Sequence, residues 1–320
     1  MARAMISEFS TEKWIARYLD DLDFADRRSE VIPKERVDHL QRRLTAAVTL
    51  LERLKVIEDQ LPNAPDNQIS MTDPDARAMA TRGKGTGLVG YNVQSTVDDQ
   101  HHLIVAHEVT MEGHDRYALA PMTEQGQAAT GLTNPVVYAD RGYYSGEQIL
   151  ATHKTGAVPM VPKSRTSGAK KHGRFDKRDF IYVAEDDEYQ CPAGERAIYR
   201  FDSKEHGEEI KKYWSSACVR CSIKSQCTPS IYRRISRLKY EDILDEMQIR
   251  IDANPEASKI RRRTVEHPFG TIKSWMGATY FLTRTKNRVA TEMSLHVLAY
   301  NLKRLTTIFG VTKLQEIVRA

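Results

Sequence analysis

At 320 residues with 40% hydrophobic and 28% charged residues, the chain can bury a sizeable core, which excludes global disorder and a peptide-sized module. No run approaches the roughly 18–20 apolar residues of a membrane helix, and the opening MARAMISEFSTEKW has no apolar signal core, so a cytoplasmic protein with no membrane partner is expected. The net charge of +5 is gathered in runs: Lys163, Arg165, Lys170, Lys171, Arg174, Lys177 and Arg178 in one, Arg233, Arg234 and Arg237 in another, Arg261 to Arg263 in a third. Charge alone leaves open whether these meet a polyanion or are solvated faces.

In chain order, Ile15, Leu19 and Leu22 mark an amphipathic helix over about 12–28. Leu40, Leu44, Ala47, Leu51 and Leu54 then mark a second helix from Val37, by their alternating spacing of three and four. Pro33 separates them, so a helical hairpin over 1–62 is predicted. Residues 61–90 read as loop, including TRGKGTG, which lacks phosphate-loop spacing. Tyr91–Val97 and Leu103–Val109 flank the turn-like Asp98-Asp99-Gln100 and predict an antiparallel hairpin. A helix over 119–129, a buried strand over 136–139, a helix over 146–154 and a strand over 157–161 follow. This alternation predicts a mixed α/β sheet with crossover connections over 63–162. A basic, cysteine-bearing module over 163–238 interrupts it. A C-terminal helical part over 239–320 completes the chain, with one helix over 240–251, one starting at Asn254-Pro255-Glu256, and one over 288–308 that brings Met293, Val297, Leu298, Leu302 and Leu305 to the core.

Two carboxylates stand out. Asp140 ends the apolar run VVYA, at the carboxyl end of a strand, where open α/β sheets hold active groups. Glu266 lies on a helix beside a stripe of Val265, Phe269, Ile272 and Met276. Oxygen ligands far apart in sequence are the ingredients of a magnesium site, and two ions roughly 3.5 to 4 Å apart would activate a nucleophile and stabilise the leaving oxygen in phosphodiester exchange. Each acid alone is more often a surface charge or a helix cap. Cys191, Cys218, Cys221 and Cys227 hold one C-x-x-C, enough for a tetrahedral structural zinc if Cys191 folds back, or else four unligated thiols. The histidines show no metal or triad spacing, and Trp214 and Trp275 read as packing groups rather than base-stacking platforms.

The collinear set TDPDARAM, GYNVQSTVD, HLIVAHEVT, YADRGYYSGE, the cysteine segment, TVEHPFGTIKSWMG and EMSLHVLAYNLKR, running from about Ile15 to Gly310, resembles the DDE transposases of bacterial insertion sequences, in particular the group numbered eleven eighty-two. The resemblance implies a ribonuclease-H-like fold that cuts insertion-sequence ends and joins them to target DNA with magnesium. Asp140 and Glu266 match its second and third carboxylates. Arg262, Arg263 and Lys273 match basic positions that face DNA and Tyr143 matches a signature position; the basic run of the insert adds Lys170 and Lys171 as expected DNA contacts. Zinc on the four cysteines is expected in the same way. The implied partners are terminal inverted repeats, target DNA and, at full length, a second subunit at the nucleoid. The chain departs from the pattern at its front: no D-G-T-like segment precedes the hairpin, so the first aspartate and its central strand are expected to be missing and the copy truncated. Asp73 and Asp75 are the stand-ins, though a turn role suits them better. Three readings stay open: a transposase whose activity the absent aspartate puts in question, an inactive DNA-binding or subunit-interaction remnant, and a zinc-stabilised nucleic-acid module.

Overall fold

A computed structural model describes residues 34–64, 67–79, 87–163, 168–205 and 207–319, with a few isolated positions before them. Of the first expected helix only 13, 15–17, 19, 20 and 23 are described, all helical; the rest of it, and most of TRGKGTG, lie outside the described residues. The chain forms two compact units, 1–91 and 92–320.

In the first unit, α1 (Lys34–Gln60) takes up the expected helix. Leu44, Ala47, Leu50 and Leu51 are half-buried and Leu54 is buried, one stripe at helical spacing. The span expected to be loop contains a small ladder instead: β1 (Arg77–Met79) pairs antiparallel with β2 (Leu88–Gly90). Asp73 is buried; one oxygen accepts from the Asp75 amide at 3.3 Å and the other from the Tyr91 hydroxyl at 2.7 Å, the turn role expected of it.

The second unit begins with the expected hairpin, β3 (Asn92–Val97) against β4 (Ile104–Thr110). α2 (Leu119–Thr130) packs on both strands. The Thr96 methyl would stand 2.8 Å from a Cβ at Gly126, so only glycine allows that approach. β5 (Val136–Tyr138) and β6 (Val158–Met160) pair in parallel through α3 (Gly146–Lys154), a crossover unit. Gly156, entering β6 at φ +88°, has Asn134 Oδ1 2.8 Å from where a Cβ would stand, so both its backbone and its space demand glycine. Val136 is exposed, so β5 is less buried than its apolar run predicts.

Among the described residues no ladder joins the β3–β4 hairpin to the β5–β6 pair; each is a two-stranded sheet. One mixed sheet was expected, and side chains and helices make the connection instead. α5 (Ala257–Gly270) packs on both β3 and β5, and a turn of π-helix (Thr271–Trp275) follows it. α5 begins two residues later than Asn254-Pro255-Glu256 suggested, because 254–256 form a turn that ends α4 (Glu241–Ala253). α6 (Lys286–Phe309) lies along β4, where the Asn301 amide donates to the Ile104 carbonyl at 2.8 Å and accepts from its N–H at 3.0 Å, imitating a strand partner. Met293 and Val297 are buried as expected, but Leu298 and Leu302 are exposed, so the apolar face of α6 is wider than the core it meets. α7 (Val311–Arg319) closes the chain.

The core of this unit unites Leu119, Ala139, Ile149, Val161, Leu244 and Met247, with Tyr143 and Tyr144 packed against them. The cysteine-bearing span, for which the sequence predicted no strands, is a five-stranded antiparallel sheet in the order β11-β10-β9-β8-β7: β7 (Ile181–Val183), β8 (Glu188–Gln190), β9 (Arg196–Glu205), β10 (Glu208–Trp214) and β11 (Ile235–Leu238). It has its own core of Phe180, Tyr189, Ala197, Tyr213 and Ile235.

Candidate active site

Asp140 follows buried Ala139 at the carboxyl end of β5. Its Oδ1 accepts from the Gly142 amide at 2.6 Å, capping a 3-10 turn over 141–143. Tyr143, three residues on, is drawn into the core, so the chain turns sharply and the Asp140 side chain stays 43% exposed. A carboxylate held by one amide at the rim of a packed core can receive a cation or a phosphate-bound ion without leaving its place.

What fixes this turn is a polar network that the sequence reading missed. Gln94 on β3 is 2% exposed. Its amide donates to Asp115 Oδ1 at 2.7 Å, its carbonyl accepts from the Tyr143 hydroxyl, and Asn92 donates to the same Asp115 oxygen at 2.7 Å. β3 is thus tied to the Asp140 loop by side chains where backbone pairing is lacking. Burial, then the Asp115 and Asp140 charges, push the Tyr143 phenol well above its ordinary pKa, so it stays a donor. Asp115 is the second carboxylate at this place: a Cβ on Gly142 would stand 2.9 Å from Asp140 Oδ1 and 3.2 Å from Asp115 Oδ2. A signal did exist. Asn92 and Gln94, two residues apart on a strand, point to one face, and two amides facing a core need a polar partner there.

The side chain that reaches Asp140 from α5 is Arg261, its Nη1 3.9 Å from Oδ2. Glu266 is exposed on the same helix, five residues and so roughly 7.5 Å further along its axis. The helix continues to Gly270, holds buried Pro268, and gives way to a π-turn that buries Ile272. Arg262 and Arg263 are exposed, and Lys273 is exposed with its ammonium 6.0 Å from the Phe269 ring. Thus α5 presents both cationic and acidic groups to solvent beside the Asp140 strand. Two donors, Asp140 and Glu266, are accessible as ligands of a divalent ion must be, but among the described residues no three His, Cys, Asp or Glu side chains form a group that could hold a metal.

The basic insert is less available than its composition suggests. Lys170 lies 3.6 Å from Asp176 and 3.8 Å from Asp179, Arg178 bonds Asp176 at 2.9 Å, and both Lys163 and Lys177 face Glu241. Arg237 is buried, bonded to Asp245 at 2.7 Å, with its guanidinium 3.6 Å from the centre of the Tyr182 ring. These charges hold the insert to α4 and to itself because burial or close pairing consumes them. Lys171 remains exposed, and Arg165 lies outside the described residues. Cys191, Cys218, Cys221 and Cys227 all line one small pocket with Phe175 and Phe180, about 30 Å³ in volume. Burial first, and then the other three thiols, push the Cys227 thiol up. Four soft donors in one apolar pocket are chemically a zinc set, although as placed they do not close on an ion.

A mixed α/β scaffold that presents an aspartate at a strand end beside a cationic, glutamate-bearing helix has the outline of a carboxylate centre for phosphodiester chemistry. The family model described as transposase DDE domain matches residues 63–302, and the chain belongs to that family. A transposase function and DNA as the partner follow from this membership, as does general use of divalent metal. No curated protein and no solved structure matches the chain. No helix among the described residues is long and apolar enough to cross a membrane.

Proposed function

We propose that the chain acts on the ends of a bacterial insertion sequence of the group numbered eleven eighty-two, cutting DNA and joining it to a target by metal-dependent phosphodiester exchange at the nucleoid. Asp140 carries this reading, because a strand end, its own cap and the half-buried Tyr143 hold it in a solvent-facing position. Asp140 and Glu266 would hold magnesium, which when bound supplies positive charge against the phosphate and an activated oxygen nucleophile. Arg262, Arg263, Lys273 and Lys171 would contact the DNA backbone, and Lys170 would do so only by giving up its acids. Zinc on the four cysteines would be structural, and a homodimer would assemble on paired ends. We further propose that the catalytic sheet is ribonuclease-H-like and takes one more strand, carrying the first aspartate, between β3 and β5. The absence of a ladder between those strands among the described residues, and the helix α5 packed on both, support it.

A second reading, an inactive DNA-binding remnant, is favoured by the lack of a three-donor group among the described residues and by the Arg261 guanidinium, which stands 3.9 Å from Asp140. Incubation of the chain with a duplex carrying the element's terminal repeat and magnesium separates the two. Nicking that Asp140→Asn and Glu266→Gln each abolish supports the transposase; duplex binding without nicking supports the remnant. Loss of binding on zinc removal, with both acids dispensable, would instead support a zinc-stabilised module.

A further inference from the structure

The inserted sheet has two faces of different character. One covers its own core through Tyr189, Ala197, Tyr213 and Ile235. Register puts Ile198, Phe201, Lys212 and Trp214 on the other: Trp214 pairs with Ile198 and Lys212 with Phe201, on either side of Tyr213. No described element covers this face at Phe201, which is 47% exposed, or at Ile198, which is 37% exposed.

The ladder shifts register between Lys212 and Tyr213, so Arg200 is the extra residue of a bulge. A bulge re-aims its side chain. Arg200 turns to Trp214, donating from Nε to the Trp214 carbonyl at 3.2 Å and from Nη2 to Ser216 Oγ at 3.0 Å, with its guanidinium 5.3 Å from the ring centroid. Exposed Arg234, just ahead of β11, stands 5.7 Å from the same ring. Phe201 meets Trp214 edge-on at 5.8 Å and Tyr232 lies at 6.1 Å. Among the described residues neither arginine has a carboxylate within ion-pair distance, unlike Lys170, Lys177, Arg178, Lys211, Lys212 and Arg237 of the same insert. The acids of this face, Glu205 and Glu208, lie at the hairpin end, engaged by Lys212 at 2.6 Å and by Tyr240.

We infer that this face binds unpaired DNA, stacking bases on Phe201 and Trp214 while Arg200 and Arg234 meet the backbone phosphates. Three aromatic rings with two uncompensated guanidiniums are the chemistry of single-strand recognition: every base has a π-face to stack, and the phosphates supply the missing negative charge. A neutral apolar partner would leave both arginines desolvated and unpaired, which is why a polyanion fits better. The face is separate from Asp140 and Glu266 and owes nothing to the metal chemistry.

Fluorescence anisotropy of a dye-labelled oligothymidine titrated with the full chain tests this, beside a labelled duplex of the same length. Phe201→Ala is expected to weaken single-strand binding roughly five- to hundred-fold. Arg200→Ala with Arg234→Ala is expected to lower the dependence of log affinity on log salt by about 1.4. Duplex binding by both variants should change little, which also reports that they are folded. Oligothymidine affinity unchanged by Phe201→Ala, or no binding by the parent chain, overturns the inference. So does a parallel loss on the duplex, or saturation of the face by a protein partner that leaves oligothymidine bound. A chain that binds the single strand yet never nicks terminal-repeat DNA leaves the inference standing and removes the catalytic reading alone.

Discussion

Tyr143→Phe tests whether the buried amide network holds the Asp140 turn. The ring stays in the core with Ile149 and Ala139, so no cavity opens; only the hydroxyl is lost. Its acceptor, the Gln94 carbonyl, is then buried with no donor, since Gln94 is 2% exposed and its amide is committed to Asp115. An orphaned buried acceptor costs about 1–3 kcal/mol, and replacing a Tyr by Phe recovers none of it through packing. Gln94→Leu should cost at least as much, because it strands the Tyr143 hydroxyl and takes one of the donors from Asp115. Once Gln94 is gone the Tyr143 hydroxyl has lost its partner, so the double variant should be less destabilised than the sum of the two by about 1 kcal/mol. Urea unfolding followed by circular dichroism reads all three, as midpoint shifts at constant slope. Additive effects, or a Tyr143→Phe midpoint equal to that of the parent, would refute the network as the support of the turn.

Alkaline pH should unfold the protein by a route visible in its tyrosines. Burial is the first cause raising Tyr143, Tyr189, Tyr213 and Tyr240 above their ordinary range, and it pushes Tyr144 up to about 12. The unfolded phenols lose their protons from about pH 10 while the folded ones keep theirs, so stability is full below that pH. Above it, stability falls by up to about 1.4 kcal/mol per pH unit for each such group. A urea midpoint that does not fall between roughly pH 9 and pH 11.5, or tyrosinate absorbance before unfolding beyond what exposed rings such as Tyr117 and Tyr280 supply, contradicts the burial of these rings. For the cysteine pocket, zinc added to the reduced chain should bind at one ion per chain, release protons and raise the melting temperature, because the ion must take thiolates from thiols such as Cys227 whose pKa burial raises. Metal analysis after dialysis checks the stoichiometry. Cys227→Ser retaining no zinc is the expected result; a parent chain that also retains none rules the site out.

Much of the second unit could be read from the sequence because its signals are local. The hairpin β3–β4, helices α2 and α3, strand β6 and the bounds of α6 came from alternation, helical spacing and turn residues, none of which needs a distant partner to be seen. Asp140 and Glu266 were legible as candidates, one from its position after an apolar strand and the other from the stripe beside it. The insert's strands were not, because Arg196–Glu205 is almost entirely polar outside Ala197, Ile198, Tyr199 and Phe201, so its period is hidden until the core of the sheet shows which face is covered. Composition also misjudged the cations. A lysine run has the same charge whether solvated or spent on Asp176 and Glu241, and the acids that spend it lie up to 78 residues away, from Lys163 to Glu241.

By itself, then, the sequence determined the helices and the strands of the second unit outside the insert, with Asp140 closing a strand and Glu266 carried on a helix, because backbone preference and amphipathic period act within a few residues. Only the tertiary structure decided that Asp115 and Gln94 stand under the Asp140 turn, that Arg261 reaches Asp140 from α5, and that Arg200 and Arg234 meet the Trp214 ring without an acid partner among the described residues. Those are matters of which groups meet across chain distance, and burial and pairing fix the worth of a charge only after the chain has closed on itself.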